Sequence, residues 1–210
     1  MARSVLTVVT PASVENRRLC TLAQVEAELG LADGGEMPAL NALRDQVSAA
    51  IANWCGHVLA EEVVRETWRG RPETDGPLLL RRFPVTAIAS VTEGGVALAA
   101  TDYELDAEAG RLWRLRGDQW AAWGGSPIQV QYTAGWRVPD QANATLPADI
   151  QRAAVLAVVA AWEARGRDPA LRSINIPDVA AETYLDPQAG MEALPPVVAG
   201  LLQPYRVLSV

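Results

Sequence analysis

The chain has 210 residues, half of them hydrophobic and one in five charged, which excludes global disorder and allows one sizeable core rather than two large domains. Its net charge is −7 and all 18 of its cationic residues are arginine, so nucleic-acid binding, which needs a basic face, is excluded as the main task. Two cysteines, Cys20 and Cys55, and a single histidine, His57, fit a reducing compartment and are too few for a multi-ligand metal site.

In chain order, Val5 to Val9 reads as a short strand or extended arm ended by Pro11. Its apolar run is broken by Thr7 and makes no secretory signal, so an intracellular protein is expected and the Asn143-Ala144-Thr145 sequon should stay unmodified. Thr21-Leu22-Ala23-Gln24 opens a helix over 21–29 with a threonine cap and a glutamine three residues on, and Gly30 stops it. After a turn at Ala32-Asp33-Gly34-Gly35, the recurrence of Leu40, Leu43, Val47, Ile51 and Trp54 predicts a second helix over 39–56. It ends at Cys55-Gly56-His57, which places His57 at the boundary of a helix end.

The period then changes. Residues 63–68 and 78–80 read as strands, separated by a turn region from Pro72 to Pro77. Residues 88–92 and 96–98 flank Gly94-Gly95, which can supply the positive φ angles of a tight hairpin turn. Residues 103–105 and 111–115 make a second hairpin through Gly110, and Ile128 to Thr133 alternates apolar and polar like a strand with one buried face.

The chain is organised around its next segment. From Ala153 to Trp162 no side chain is charged or polar, so a helix over 147–165 is apolar on all sides and needs wrapping by the fold. Pro147 suits its first turn, Asp149 its positive end and Gly166 its stop, and the run is too short to span a membrane. Residues 167–193 carry acids and scattered prolines without a period and read as an extended arm. A short helix opened by Pro195-Pro196 and closed by Pro204 follows.

Little here points to catalysis. No Walker loop, dinucleotide fingerprint or zinc-ligand spacing occurs, and Gly124-Gly125-Ser126-Pro127 lacks the pattern of a nucleophile elbow for His57 to serve. Asp102, Glu104, Asp106 and Glu108 alternate like calcium ligands, but Ala107 stands where the loop needs glycine and Trp113 where it needs glutamate. No catalytic, cofactor or metal residue is therefore assigned. The tryptophans 113, 120, 123 and 136 read first as core, and Arg81-Arg82 and Arg111 to Arg116 as two basic spots on an acidic protein.

The ordered set of short motifs resembles the head-to-tail connector (adaptor) family of long-tailed phages and gene transfer agents. The residues that carry it are Leu19-Cys20-Thr21-Leu22-Ala23-Gln24-Val25, Trp54-Cys55-Gly56-His57, Thr67-Trp68, and Leu78-Leu79-Leu80-Arg81-Arg82-Phe83-Pro84-Val85. They continue with Ile88-Ala89-Ser90-Val91, Asp102-Tyr103-Glu104-Leu105-Asp106 with Gly110-Arg111-Leu112, and Val130-Gln131-Tyr132-Thr133-Ala134-Gly135-Trp136. Leu146-Pro147-Ala148-Asp149-Ile150 and Leu201-Leu202-Gln203-Pro204-Tyr205-Arg206 complete it, although the stretch from Arg167 to Ala193 is longer than the family pattern.

The resemblance implies a structural virion protein at the head–tail junction, assembled in the host cytoplasm. It implies a homo-oligomeric ring, commonly of twelve copies, under the portal protein of a DNA-filled capsid, presenting a platform to the stopper or tail-terminator protein. Double-stranded DNA would pass through the lumen without specific binding, and neither a membrane nor a cofactor takes part. The expected fold is α+β and mainly helical, a helical core around the buried Ala-rich helix with a β-hairpin-rich insertion at 62–135. An adaptor core over 1–165 would be followed by an extended arm and C-terminal helix over 166–210. Leu194, Val197, Val198, Leu201, Leu202 and Tyr205, with Arg206 as charged anchor, are the expected contacts with the portal or a neighbouring subunit. Two other classes stay open: a cytoplasmic partner-binding module, and an enzyme with an unrecognised carboxylate site.

Overall fold

A computed structural model describes residues 4–31, 36–70, 76–166, 173–176, 180–183 and 194–207. The expected turn at 32–35, much of the turn region after Pro72 and most of the expected arm at 167–193 lie outside the described residues. The chain divides into two compact units, one of residues 1–16 and 58–137, the other of 17–57 and 138–210.

The first is a strand unit. Strands β1 (Ser4–Thr10), β2 (Glu62–Trp68), β4 (Val85–Glu93), β5 (Val96–Ala97) and β9 (Ile128–Ala134) form an antiparallel sheet in the order β1-β2-β9-β4-β5. In a second sheet β7 (Arg111–Arg116) lies between β6 (Tyr103–Asp106) on one edge and β3 (Leu78–Leu79) with β8 (Gln119–Ala121) on the other. Strict alternation on β9 and β2 sends Ile128, Val130, Tyr132, Val64 and Trp68 inward, where they meet Leu78, Leu80, Leu112 and Trp123 in one core. Gly94 and Gly95 both take positive φ, closing β4 on β5 by the expected two-residue turn.

The second is a helical unit. Helix α1 (Leu22–Leu29) has the expected capping box between Thr21 and Gln24, and Gly30 ends it at φ 64°. Helices α2 (Met37–Cys55) and α4 (Pro196–Leu202) join it in touching α3 (Ala148–Glu163), so α3 is the common partner of the other three helices. Its coverage is one-sided. Ile150, Ala153, Ala154, Val155, Ala157 and Val158 are buried, whereas Leu156 and Val159 are half-buried and Ala160 is exposed along the stripe that begins at Arg152. Gly166 closes a short 3-10 turn after α3, while the helix cap itself is Ala164 in right-handed conformation. The unit also contains an antiparallel pair, β10 (Ser173–Ile176) and β11 (Ala180–Thr183).

The expectation of a mainly helical fold is corrected. Helices hold 37% and strands 29% of the residues, so neither class dominates. The β-rich stretch is not an insertion hung on a helical core: its strands enclose a hydrophobic core of their own. The cause of the misreading is segment length. A 16-residue apolar helix is conspicuous, whereas strands of two to four residues such as β3, β5 and β8 are stabilised by pairing that no local period records.

Candidate assembly surface

The expected C-terminal contacts fall into three groups. Val198 and Leu202 are 1% and 0% exposed, because α4 turns both towards α3. Leu194, Leu201 and Tyr205 are half-buried. Val197, 66% exposed, and Arg206 face outwards. The 3-10 turn Gln203–Tyr205 and the residues after it are stitched down as well: the Tyr205 hydroxyl donates to the Asp149 carboxylate at 2.8 to 2.9 Å, and the Val207 N–H donates to the Cys55 carbonyl at 2.9 Å. Burial and the neighbouring Asp149 charge push the Tyr205 phenol up to about 12, so it stays a donor at all working pH. Arg206 lies over the Trp54 ring at 5.0 Å from its centroid. Thus residues 194–207 pack on their own helical unit and present Val197 and Arg206 to solvent.

Arg44 holds another part of that unit together. It sits on α2 almost fully buried, donates through Nε to the Cys20 carbonyl at 3.0 Å and through Nη1 to Asn41 Oδ1 at 2.7 Å, and pairs with Asp140. One guanidinium thereby ties the entry to α1 and the 138–141 segment to α2. Burial pushes the Cys20 thiol up to about 11 against the opposing pull of Arg44, so the thiol is inert at neutral pH. Arg44→Leu is expected to cost about 3 kcal/mol in urea unfolding, the bottom of the range for a broken buried pair, because the Asp140 side chain is 43% exposed and can be hydrated.

In the strand unit the buried ionisable group is Glu66, at 0% exposure on β2. Its Oε1 accepts from the Arg81 N–H at 2.8 Å and from the Tyr132 hydroxyl at 3.1 Å, and that hydroxyl accepts from the Arg82 N–H at 3.3 Å. Its Oε2 has no partner among protein atoms. Burial raises the Glu66 carboxyl to about 7, against the pull of the Arg81 N–H and the Tyr132 hydroxyl, so the side chain ties the 80–84 segment to the sheet with its proton on at mildly acid pH. Below about pH 4.5 both folded and unfolded chains hold this proton; between about 4.5 and 7 only the folded chain does. Stability from this group therefore falls as pH rises through that window, by about 3 kcal/mol in all, and is flat above it. Glu66→Gln keeps the shape and should remove that slope when wild type and variant are unfolded in urea at pH 4.5 to 8; parallel profiles would contradict it.

A second carboxylate, Glu93, gathers partners elsewhere in the unit. Burial pushes Glu93 up, but the N–H groups of Gly125 and Gly124 and the guanidinium of Arg114, 3.0 Å away, outweigh it and hold the carboxyl below the usual range. Arg114 also donates to the Asp102 carbonyl at 2.7 Å. Asp102 and Arg114, read from the sequence as parts of an acidic string and a basic spot, thus belong to one internal network.

The tryptophan group separates by role. Trp123 is a core residue at 1% exposure, while Trp113 and Trp120 stack on each other at 4.6 Å with Trp120 65% exposed and its Nε1 donating to Glu104. Strand register sets Leu79 opposite Arg111, and it is 64% exposed. Large exposed hydrophobics also gather on β1, at Val5, Val8 and Val9. His57, expected at a helix boundary, is buried there, and Gly56 beside it takes φ 80° with the Val207 carbonyl oxygen 2.9 Å from where a Cβ would lie. Among the described residues no group of three or more His, Cys, Asp or Glu is placed to hold a metal ion, and no helix is long and apolar enough to cross a membrane. Arg44, Glu66 and Gly135 carry no local signal of the contacts they make, and of the three only the glycine lies inside one of the family-like motifs of the sequence.

No protein-family model matches the chain, and no curated protein matches it. The architecture, a two-sheet strand unit with a unit of four helices, is shared with chains of known structure. One belongs to the neck of an empty GTA particle computed with C6 symmetry, with 20% sequence identity, a TM-score of 0.56, and 98% of this chain and 97% of that chain covered. Another belongs to the neck of a native GTA particle computed with C12 symmetry, with 19% identity, a TM-score of 0.57 and 97% of each chain covered. At such identities the likeness shows a common fold.

Proposed function

We propose that this chain is a structural neck protein, a head-to-tail connector that joins a DNA-filled head to its tail in a phage or gene transfer agent particle. The observation that carries the reading is the extent of the likeness: it runs through both units, over 98% of this chain and 97% of a neck chain. The ordered motifs of the sequence point the same way independently of the coordinates. The role requires folding, ring closure and docking, and no catalytic residue.

The ring has cyclic symmetry with twelve copies, a number compatible with both C12 and its subgroup C6. Each copy must then offer two different, complementary faces to its neighbours, since a cyclic ring beyond a dimer is built from heterologous contacts. The portal protein meets one side and the stopper or tail terminator the other. A net charge of −7 per copy suits a wall past which DNA slides, because a surface that repels phosphate does not grip it. Of the expected contact residues, all within the described 194–207, Val197 and Arg206 are the ones turned outwards for docking to the portal or a neighbour, with the half-buried Leu194 and Leu201 at their border.

Immunogold labelling of purified particles tests the placement. Label at the junction of head and tail is the expected result; particles that carry none of the protein, or carry it on the tail tip or capsid surface, would overturn it.

A further inference from the structure

Strand β1 is an edge with little of the usual protection: its one register shift against β2 falls between Val8 and Thr10 and leaves Ser4 to Val8 in regular register. Its sequence, Ser-Val-Leu-Thr-Val-Val-Thr, holds no charge, proline or glycine over seven residues, it pairs on one side with β2, and Val5, Val8 and Val9 are exposed. Natural sheets blunt such an edge with charges, prolines or bulges, or else cover it, because its free N–H and C=O groups recruit another strand. The remaining edges of the strand unit are poorer templates: β4 carries two register shifts, both within its first six residues, against the single shift at the end of β1, β6 carries Glu104 and Asp106, and β3, β5 and β8 are two or three residues long.

The helical unit holds the complement. Strands β10 and β11 pair with each other and, among the described residues, with no other strand, and a two-stranded ribbon alone is marginal in water. Strand β10 reads Ser-Ile-Asn-Ile, uncharged with alternating β-branched residues, whereas β11 carries Glu182. Its tether is short of neither end: six residues, 167–172, separate it from the turn after α3, enough for a reach of about 20 Å when extended.

We propose that in the ring β10 of one copy adds antiparallel to the free edge of β1 of the next, so that the five-stranded sheet gains the β10–β11 ribbon of its neighbour. This rests on the ring reading above and names the contact that closes it: one heterologous strand addition per copy, with main-chain hydrogen bonds for affinity and the exposed valines of β1 covered by the added ribbon. The stretch of chain between α3 and α4 becomes the linking element, and β1 is covered in the assembly.

Hydrogen exchange on the purified monomer and on necks isolated from particles tests this. Amides of residues 4–10 should exchange at least tenfold more slowly in the neck. The variant Ile174→Lys with Ile176→Lys should keep the folded monomer's circular dichroism and melting behaviour but lose ring formation and the added protection, and Val8→Lys on β1 should do the same. Unchanged rings from the β10 variant, or equal exchange of residues 4–10 in monomer and neck, would overturn the strand addition while leaving the ring reading intact. Absence of the protein from necks would overturn both.

Discussion

Leu202→Asp is expected to leave the helical unit unfolded. The side chain is fully buried where α4 meets α3, and truncation of such a leucine to alanine alone costs about 2–5 kcal/mol. A carboxylate in its place adds the cost of an unpaired buried charge, several kcal/mol more or a proton taken up at neutral pH. Against a total stability of roughly 5–15 kcal/mol for a domain, the sum leaves little folded protein. Far-ultraviolet circular dichroism should show the helical signal lost or strongly reduced at 25 °C. Val197→Asp, five residues earlier on the same helix and 66% exposed, should stay within about 0.5 kcal/mol of wild type and act only on docking. A wild-type melting curve for Leu202→Asp would show that α4 is an appendage rather than a part of its unit.

Gly135→Ala is expected to damage the strand unit comparably. Gly135 follows β9 with φ 108°, a conformation that L residues avoid at a cost of about 1–3 kcal/mol. Space is lacking too: an added Cβ would lie 2.9 Å from the Leu59 oxygen and closer still to the Ala60 carbonyl. Those atoms are backbone held in place, since the Trp136 N–H donates to the Leu59 carbonyl at 2.8 Å and the Glu61 N–H to the Trp136 carbonyl at 3.0 Å. Neither strand can retreat without losing these bonds, so the total should exceed about 3 kcal/mol, a fall of at least about 10 °C in the melting temperature of a unit this size. Gly30→Ala, with nothing within 4 Å of the added carbon, provides the comparison in which φ strain acts alone.

These two positions also mark what the sequence discloses. The glycine stood in a legible motif, Thr133-Ala134-Gly135-Trp136, but its reason is a backbone 75 residues earlier in the chain, which no local pattern contains. Capped and periodic elements were legible: the Thr21 box, the Gly94-Gly95 turn and the alternation of β9 all formed where residue chemistry placed them. Strand β8 was not, since Gln119-Trp120-Ala121 has no alternation and owes its state to the register Leu115 with Trp120. Polar residues that hold the core were hidden for a related reason. Arg44 and Glu66 look like ordinary surface charges on a helix and a strand, and only the partners Cys20, Asp140, Arg81 and Tyr132, distant in sequence, make burial tolerable. For the candidate surface, composition marked the tail as apolar without telling the two residues facing α3 from the one facing water, because a helix of seven residues offers too few turns to define a stripe.

The central claim, that the chain joins head to tail, is tested most directly by deleting its gene from the replicon that encodes it and imaging the particles by electron microscopy, with plasmid-borne wild type as control. The account predicts DNA-filled heads separated from free tails, with tailed particles restored by the plasmid. Normal tailed particles from the deletion would contradict it.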